Sequence, residues 1–238
     1  MPNALPTDAE FKYSGADNLE IMLDAVRYNA FLADEVLSHS NGARCALDIG
    51  SGTGTFAQMV RSRGLEVTCL EPDNRLRCEL ERQGFACFAD LAQIPAQTFD
   101  YVFSLNVFEH IEDDAQAARE ALRILKPGGA LYVYVPAFGV LFGAMDRKVG
   151  HQRRYRRETL AKLFGNAGFE VKQTRYVDVL GFFATLAFNL LPSDGTIGRT
   201  SIKLYGRIAV PLSRVVDQLT SRVLGKNVSV IARSCDSF

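Results

Sequence analysis

The chain has 238 residues, enough for one sizeable core, with 47% of them hydrophobic and 27 basic residues balancing 27 acidic ones. A neutral total without any RNA- or DNA-binding motif excludes a dedicated nucleic-acid binder. Five cysteines, none in a C-x-x-C pair, exclude a disulfide framework and a zinc site and suit a reducing, cytoplasmic setting.

The balance of charge is uneven along the chain. Residues 1–146 carry 21 acids and 11 bases, and the remainder carries 6 acids and 16 bases. Such asymmetry points to an anionic acceptor or surface met by the second half, or to two halves that attract each other.

Residues 1–17 are polar, lack a signal-peptide pattern and read as loose chain. Leu19, Met22, Leu23, Val26, Ala30 and Leu37 recur at helical spacing and predict a helix from Leu19 to Leu37, stopped by Asn41-Gly42. Strands and helices then alternate: strand 44–49, helix 54–63, strand 65–71, helix 73–83, short strand 85–88, strand 99–105, helix 112–125 and strand 130–136. Lys126-Pro127-Gly128-Gly129 reads as a helix stop and turn, and Asp100 as a structural acid opening its strand. A helix over 158–167, a strand over 169–177 and a last strand over 228–233 follow.

Alternation of this kind predicts an α/β fold: a Rossmann-like, doubly wound, mostly parallel seven-stranded sheet with an N-terminal helix, covered on both faces. Ligands then sit at the carboxyl ends of the strands. Residues 1–238 read as a single domain, and 178–226 as a helical cap insertion within it. Val177 to Leu191 is too short and too polar to span a bilayer. Tyr205 to Leu224 is an amphipathic helix with Arg207, Arg214 and Arg222 on its polar side. Peripheral membrane contact through 177–224 and a buried helix pair both stand beside the cap reading. The oligomeric state is not legible.

The apolar run Ala46-Leu47-Asp48-Ile49 leads into Gly50-Ser51-Gly52-Thr53-Gly54, and a helix pattern starts at once. This is a strand, a tight turn and a helix N-terminus, with glycines where a ligand approaches the backbone. A dinucleotide loop keeps that turn free of negative charge, because a pyrophosphate sits on the helix N-terminus. Asp48 instead suits a ligand with a positive end, such as S-adenosylmethionine (SAM), which carries an ammonium and a sulfonium. Glu71, at the tip of the next strand, is placed to accept hydrogen bonds from ribose hydroxyls. Glu71 alone fits NAD equally well. The third glycine of G-x-G-x-x-G, however, comes one place early here.

Together with Asp90-Leu91, the stretch Thr98 to His110 and the turn Leu125 to Leu131, these residues make the chain resemble a class I SAM-dependent methyltransferase of the small-molecule type. The match is good over residues 44–136 and weaker beyond. The resemblance implies SAM as cofactor and S-adenosylhomocysteine (SAH) as product. It also implies Asp48, Gly50, Ser51, Gly52, Gly54, Glu71, Pro72, Asp90, Leu91, Asn106 and Val107 as cofactor residues, with Asp90 taking the adenine amine. The activity it implies is methyl transfer to an O or N nucleophile of a small-molecule acceptor, a sugar or lipid-linked precursor among the classes. A non-catalytic SAM/SAH-binding protein and a NAD-dependent oxidoreductase are the alternatives.

His110 and His151 stand where an imidazole would take a proton from the acceptor, whereas His39 only ends the first helix and favours its C-terminus. Asn106, Glu109 and His110 are similar to the E-x-x-E-H metal site of ubiquinone-pathway O-methyltransferases. Asn106 replaces the first acid, which weakens a site for a hard cation, and no metal is expected. Asp146 to Arg157 holds six Lys and Arg in twelve residues and reads as a solvated face or a helix lead-in, or in functional terms as a clamp for phosphate or carboxylate.

Overall fold

The computed structural model describes residues 25–190 and 199–235, with side chains from Leu204 onward in the second stretch. The expected loose segment 1–17 and residues 19–24 of the helix expected from Leu19 lie outside the described residues. Seven strands form one sheet: β1 (Cys45–Ile49), β2 (Glu66–Leu70), β3 (Cys87–Phe88), β4 (Phe99–Leu105), β5 (Leu125–Pro136), β6 (Glu170–Val177) and β7 (Asn227–Arg233). Their order is β3-β2-β1-β4-β5-β7-β6, and only β7 runs antiparallel to its neighbours. The helices are α1 (Val26–Ser38), α2 (Thr55–Arg61), α3 (Asn74–Arg82), α4 (Asp114–Ile124), α5 (Ala144–Val149), α6 (Arg157–Asn166), α7 (Val179–Asn189) and α8 (Arg199–Thr220).

Successive side chains of a strand point to opposite faces, and here both faces are apolar. Val102, Leu131, Val133 and Val135 join α4 and α6 in one core; Tyr101, Phe103, Tyr132 and Tyr134 join α1, α2, α3 and α8 in the other. Each large side chain so buried contributes about 1.5–3 kcal/mol. The tyrosines also fix α1 on the sheet. Tyr101 donates to the Val36 carbonyl at 2.8 Å, Tyr132 lies 3.4 Å from a Glu35 carboxylate oxygen, and the Tyr134 and Tyr28 hydroxyls pair at 3.1 Å. Burial raises the pKa of all four phenols, which stay neutral.

Four differences from the sequence reading have physical causes. β5 starts at Leu125, not 130, because the Lys126–Gly129 turn is absorbed as a bulge, with Gly128 at φ 72°. A short helix, α5, lies where only a charge run was read. α8 begins at Arg199, ahead of Tyr205. His39 packs on Tyr132 at 5.1 Å, and burial lowers its pKa, so it brings no charge to the end of α1.

Asp100 is structural, as read. Its carboxylate accepts the Arg44 and Cys45 amides at 3.1 Å each and the Lys126 ammonium at 2.6 Å, tying β1, β4 and β5 together at their amino ends.

Candidate cofactor and acceptor site

The loop after β1 turns through left-handed backbone at Gly50 (φ 75°), Gly52 (φ 55°) and Gly54 (φ 82°). Two of these positions leave no room for a side chain. A Cβ on Gly50 would lie 2.5 Å from a Val107 methyl, and one on Gly54 would lie 2.7 Å from a Leu80 methyl. Gly54→Ala combines about 1–2 kcal/mol of backbone strain with the cost of moving Leu80, also about 1–3 kcal/mol. Urea unfolding should therefore show a loss of about 2–5 kcal/mol; a loss within error of zero would refute this account of the loop.

Glu71 pins that loop to the end of β2. One carboxylate oxygen accepts the Gly52 amide at 2.8 Å and the other the Asp73 amide at 2.9 Å. Asp73, which follows Pro72, accepts the Arg75 and Leu76 amides and caps α3. Asp48 lies deeper, at 3% exposure, and the Ser51 hydroxyl donates to its carbonyl at 2.9 Å. Burial pushes the Asp48 carboxyl up to about 8, against a smaller lowering by Ser51. Burial also raises Glu71, against its two amide bonds. Neither acid joins an ion pair among the described residues. Two buried carboxylates without a cation, beside an opened backbone, form a cradle for a cationic ligand.

Further expected cofactor residues follow the carboxyl ends of β3 and β4. Asp90 accepts the Ala92 amide at 2.9 Å and caps the helical turn Leu91–Gln93 just after β3. Asn106 follows β4 in left-handed backbone (φ 56°) and donates its amide to the Tyr134 carbonyl at 2.8 Å. Val107 is the residue against Gly50. Asp178 (φ 69°) is left-handed just after β6, and Phe138 (φ 57°) also has positive φ just after β5. Non-glycine residues with positive φ cluster at functional sites, and these three follow the carboxyl ends of β4, β5 and β6.

A second polar cluster adjoins β4 and β5. Glu109 and His110 lie in the helical turn Phe108–His110, and His151 follows α5. The Asp146 carboxylate receives the His151 Nδ1 at 2.7 Å, two nitrogens of Arg154 at 2.8 and 3.0 Å, and the Gly143 amide at 2.8 Å. Burial opposes the charge on Asp146, but His151 and Arg154 outweigh it and hold the acid at about 2. His151 Nε2 lies 3.7 Å from Glu109, whose two carboxylate oxygens are fully buried without a hydrogen-bond partner. Burial pushes Glu109 up to about 8.

The His110 ring meets that of His151 edge-on at 4.7 Å. Burial, with His151 beside it, lowers His110 to about 4 against a hydrogen bond to the Gly150 backbone. Glu109, His110 and His151 present donor atoms within 4.8 Å of one another, a donor set of the type a divalent cation takes.

The sequence reading missed Asp146 and Arg154 as partners in this cluster. The basic run divides: Arg147, Lys148 and Arg156 are exposed, as a solvated face requires, and the run leads into α6 at Arg157, whereas the other arginines are engaged by neighbouring groups. Arg154 is committed to Asp146 and to the Ala137 carbonyl, Arg153 to Asp114 and the Glu112 carbonyl, and Arg157 to the Thr174 and Arg222 carbonyls. These arginines are internal ties that hold the loop after β5 to its neighbours.

A seven-stranded sheet in this order, with a glycine loop and paired acids at its carboxyl rim, defines a protein that binds a SAM-like cofactor. Comparison with known proteins agrees. The family described as "Methyltransferase domain" matches residues 23–174. A "Probable S-adenosylmethionine-dependent methyltransferase" of Mycolicibacterium smegmatis is 28% identical over 184 residues, 73% of this chain and 69% of that one. The match spans 46% of the length of two further mycobacterial methyltransferases. A Thermotoga maritima SAM-dependent methyltransferase, described as a possible histamine N-methyltransferase, superposes with a TM-score of 0.62 at 20% identity, covering 92% of this chain and 95% of its own. Haemonchus contortus phosphoethanolamine N-methyltransferase 2, in complex with SAM, gives 0.60 at 17% identity over 86% of this chain and 52% of its own. The chain belongs to the SAM-dependent methyltransferases, and SAM is its cofactor.

Proposed function

We propose that this enzyme methylates an O or N nucleophile of a small-molecule acceptor, that Asp48, Glu71 and the Gly50–Gly54 loop hold SAM, and that His151 deprotonates the acceptor. The observation that carries the cofactor half is the pair of buried carboxylates without a cation around an opened glycine backbone. Asp48 would meet the cationic amino-acid end. Glu71, kept in place by two amides, would take the ribose hydroxyls. Asp90 would meet the adenine amine, with Ser51, Pro72, Leu91, Asn106 and Val107 shaping the walls. Bound SAM supplies an electrophilic methyl group whose leaving group is neutral and needs no acid. The protein therefore positions the acceptor, excludes water and receives a proton where the acceptor is a hydroxyl.

On the acceptor side the Asp146–His151 pair supports the base assignment. An ionised Asp146 at His151 Nδ1 favours the tautomer with its lone pair on Nε2, on the Glu109 side. His110, held near 4, is a weaker base and serves as a neutral wall beside it. α7 fits the role of a cap over the acceptor. Asn189 donates to the Leu141 carbonyl at 2.8 Å, and Phe182 packs on Phe138 at 5.5 Å, which holds α7 over the loop after β5. An anionic acceptor, a sugar or a lipid-linked precursor among them, suits the basic second half of the chain. Five free thiols suit a reducing cytoplasm.

Calorimetric titration tests the cofactor half. The protein is expected to bind SAH and not NAD, and Glu71→Ala is expected to bind SAH about tenfold to hundredfold more weakly, since it loses hydrogen bonds to a charged group. Folded protein that fails to bind SAH would overturn the assignment.

A further inference from the structure

α8 is amphipathic, but part of its apolar side faces outward. Gly206, Val210 and Ser213 are buried against the fold. Leu204, Ile208, Leu212, Val215 and Leu219, with Val223 just beyond the helix end, are each 51–88% exposed. Their spacing of three or four residues makes one continuous stripe, about 22 Å long from Leu204 to Leu219 at 1.5 Å per residue. α7, packed beside α8, exposes Phe183 at 55% and is followed by Leu190 at 79%. Scattered exposed apolar residues need no explanation, but an unbroken row on one helix marks a contact surface.

The charges on α8 select the occupant. Arg207 in α8 and Arg222 just past its end are exposed and join no ion pair among the described residues, whereas Arg214, also exposed, lies 4.0 Å from Asp34 of α1. Asp217, the only acid in α8, is turned into the fold, where it accepts the Asp178 and Val179 amides at 2.6 and 3.0 Å. A second copy paired through this face would bring Arg207 and Arg222 of each copy together with no acid on either helix to answer them, whereas paired helices use opposite charges flanking the seam. No described helix is long and apolar enough to cross a membrane. A long helix with an exposed apolar row and exposed arginines beside it is the arrangement that lies in a bilayer interface.

We infer that the exposed face of α8, with Phe183 and Leu190, docks on an anionic lipid surface. The apolar row enters the headgroup boundary while the arginines meet lipid phosphates. α8 is tied to Asp178, just past the end of β6, by Tyr205 and by Ser213 at 2.9 Å, so the docked face adjoins the acceptor end of the sheet.

The test is co-sedimentation of the full chain with vesicles of phosphatidylcholine alone or mixed with phosphatidylglycerol. SAH affinity, measured on every variant, monitors folding separately. Binding to the anionic vesicles is expected, falling about tenfold in Ile208→Ser/Leu212→Ser, weakened in Arg207→Gln/Arg222→Gln and weakened by high salt, with SAH affinity unchanged. Three results would overturn the inference: no preference for anionic vesicles, equal binding by the serine variant, or a wild-type dimer that Leu212→Ser converts to monomer. None of them touches the SAM assignment, which SAH binding tests alone.

Discussion

Binding of SAH at pH 7 is expected to release close to one proton in the wild-type protein and close to none in Asp48→Asn. The ligand-free Asp48 carboxyl titrates at about 8 because burial disfavours its charge. At pH 7 such a group is about nine-tenths protonated. A cationic amino group brought against it favours the carboxylate, so the proton leaves as the ligand enters. Affinity should therefore rise with pH up to about 8 and then level off. Calorimetry in two buffers of different ionisation enthalpy measures the release directly, and the difference between wild type and Asp48→Asn isolates this group from the ligand's own amine. A buffer-independent enthalpy in the wild type would refute the role given to Asp48.

The same linkage acts on stability. Asp48 and Glu109 titrate near 8 when folded, well above an ordinary carboxylate near 4. Between those values the unfolded chain binds fewer protons than the native one, so the ligand-free protein loses stability as pH rises through that window. SAH should recover the part due to Asp48 and leave the part due to Glu109. Under the proposed assignment the two buried acids divide between a cofactor end and an acceptor end.

The loop geometry proposed to hold the cofactor was legible because its constraints are local. Gly50 and Gly54 are fixed by backbone angle and close approach, and Glu71 by its place at a strand tip. The fold was legible for a similar reason: a parallel sheet covered on both faces leaves apolar strands and amphipathic helices in alternation. The acceptor half depends on contacts that no period records. Asp146 reaches His151 because α5 ends at Gly150 in left-handed backbone (φ 80°), which turns the chain back on itself. The six-residue helix gives too little pattern to read. Arg153, Arg154 and Arg157 looked available because arginine serves an external anion and a backbone carbonyl equally well, and only the packed fold decides between them. The bulge at the start of β5 was hidden by Pro127-Gly128-Gly129, which spells a turn in sequence and is taken up as irregularity within a strand.

The Asp146–His151 pair makes the second large prediction. With a hydroxyl acceptor, His151→Gln is expected to lower kcat by about 10²–10⁴, the usual range for a positioned general base, while SAH affinity stays near wild type. His110→Ala should cost much less, because a group held near 4 has little affinity for the acceptor proton. Asp146→Asn keeps the shape but removes the charge that orients His151 and offsets Arg154. Its effect on kcat should approach that of His151→Gln, and the double variant should fall little further, because groups that act as a unit are not additive. Asp146→Asn also leaves Arg154, 6% exposed, without its counter-charge. Loss of one partner from a buried ion pair costs about 3–5 kcal/mol, so its Tm should drop while that of His151→Gln holds. If His151→Gln turns over at the wild-type rate with such an acceptor, proximity and orientation alone carry the reaction, and the paired imidazole is a structural tie between α5 and the end of β4.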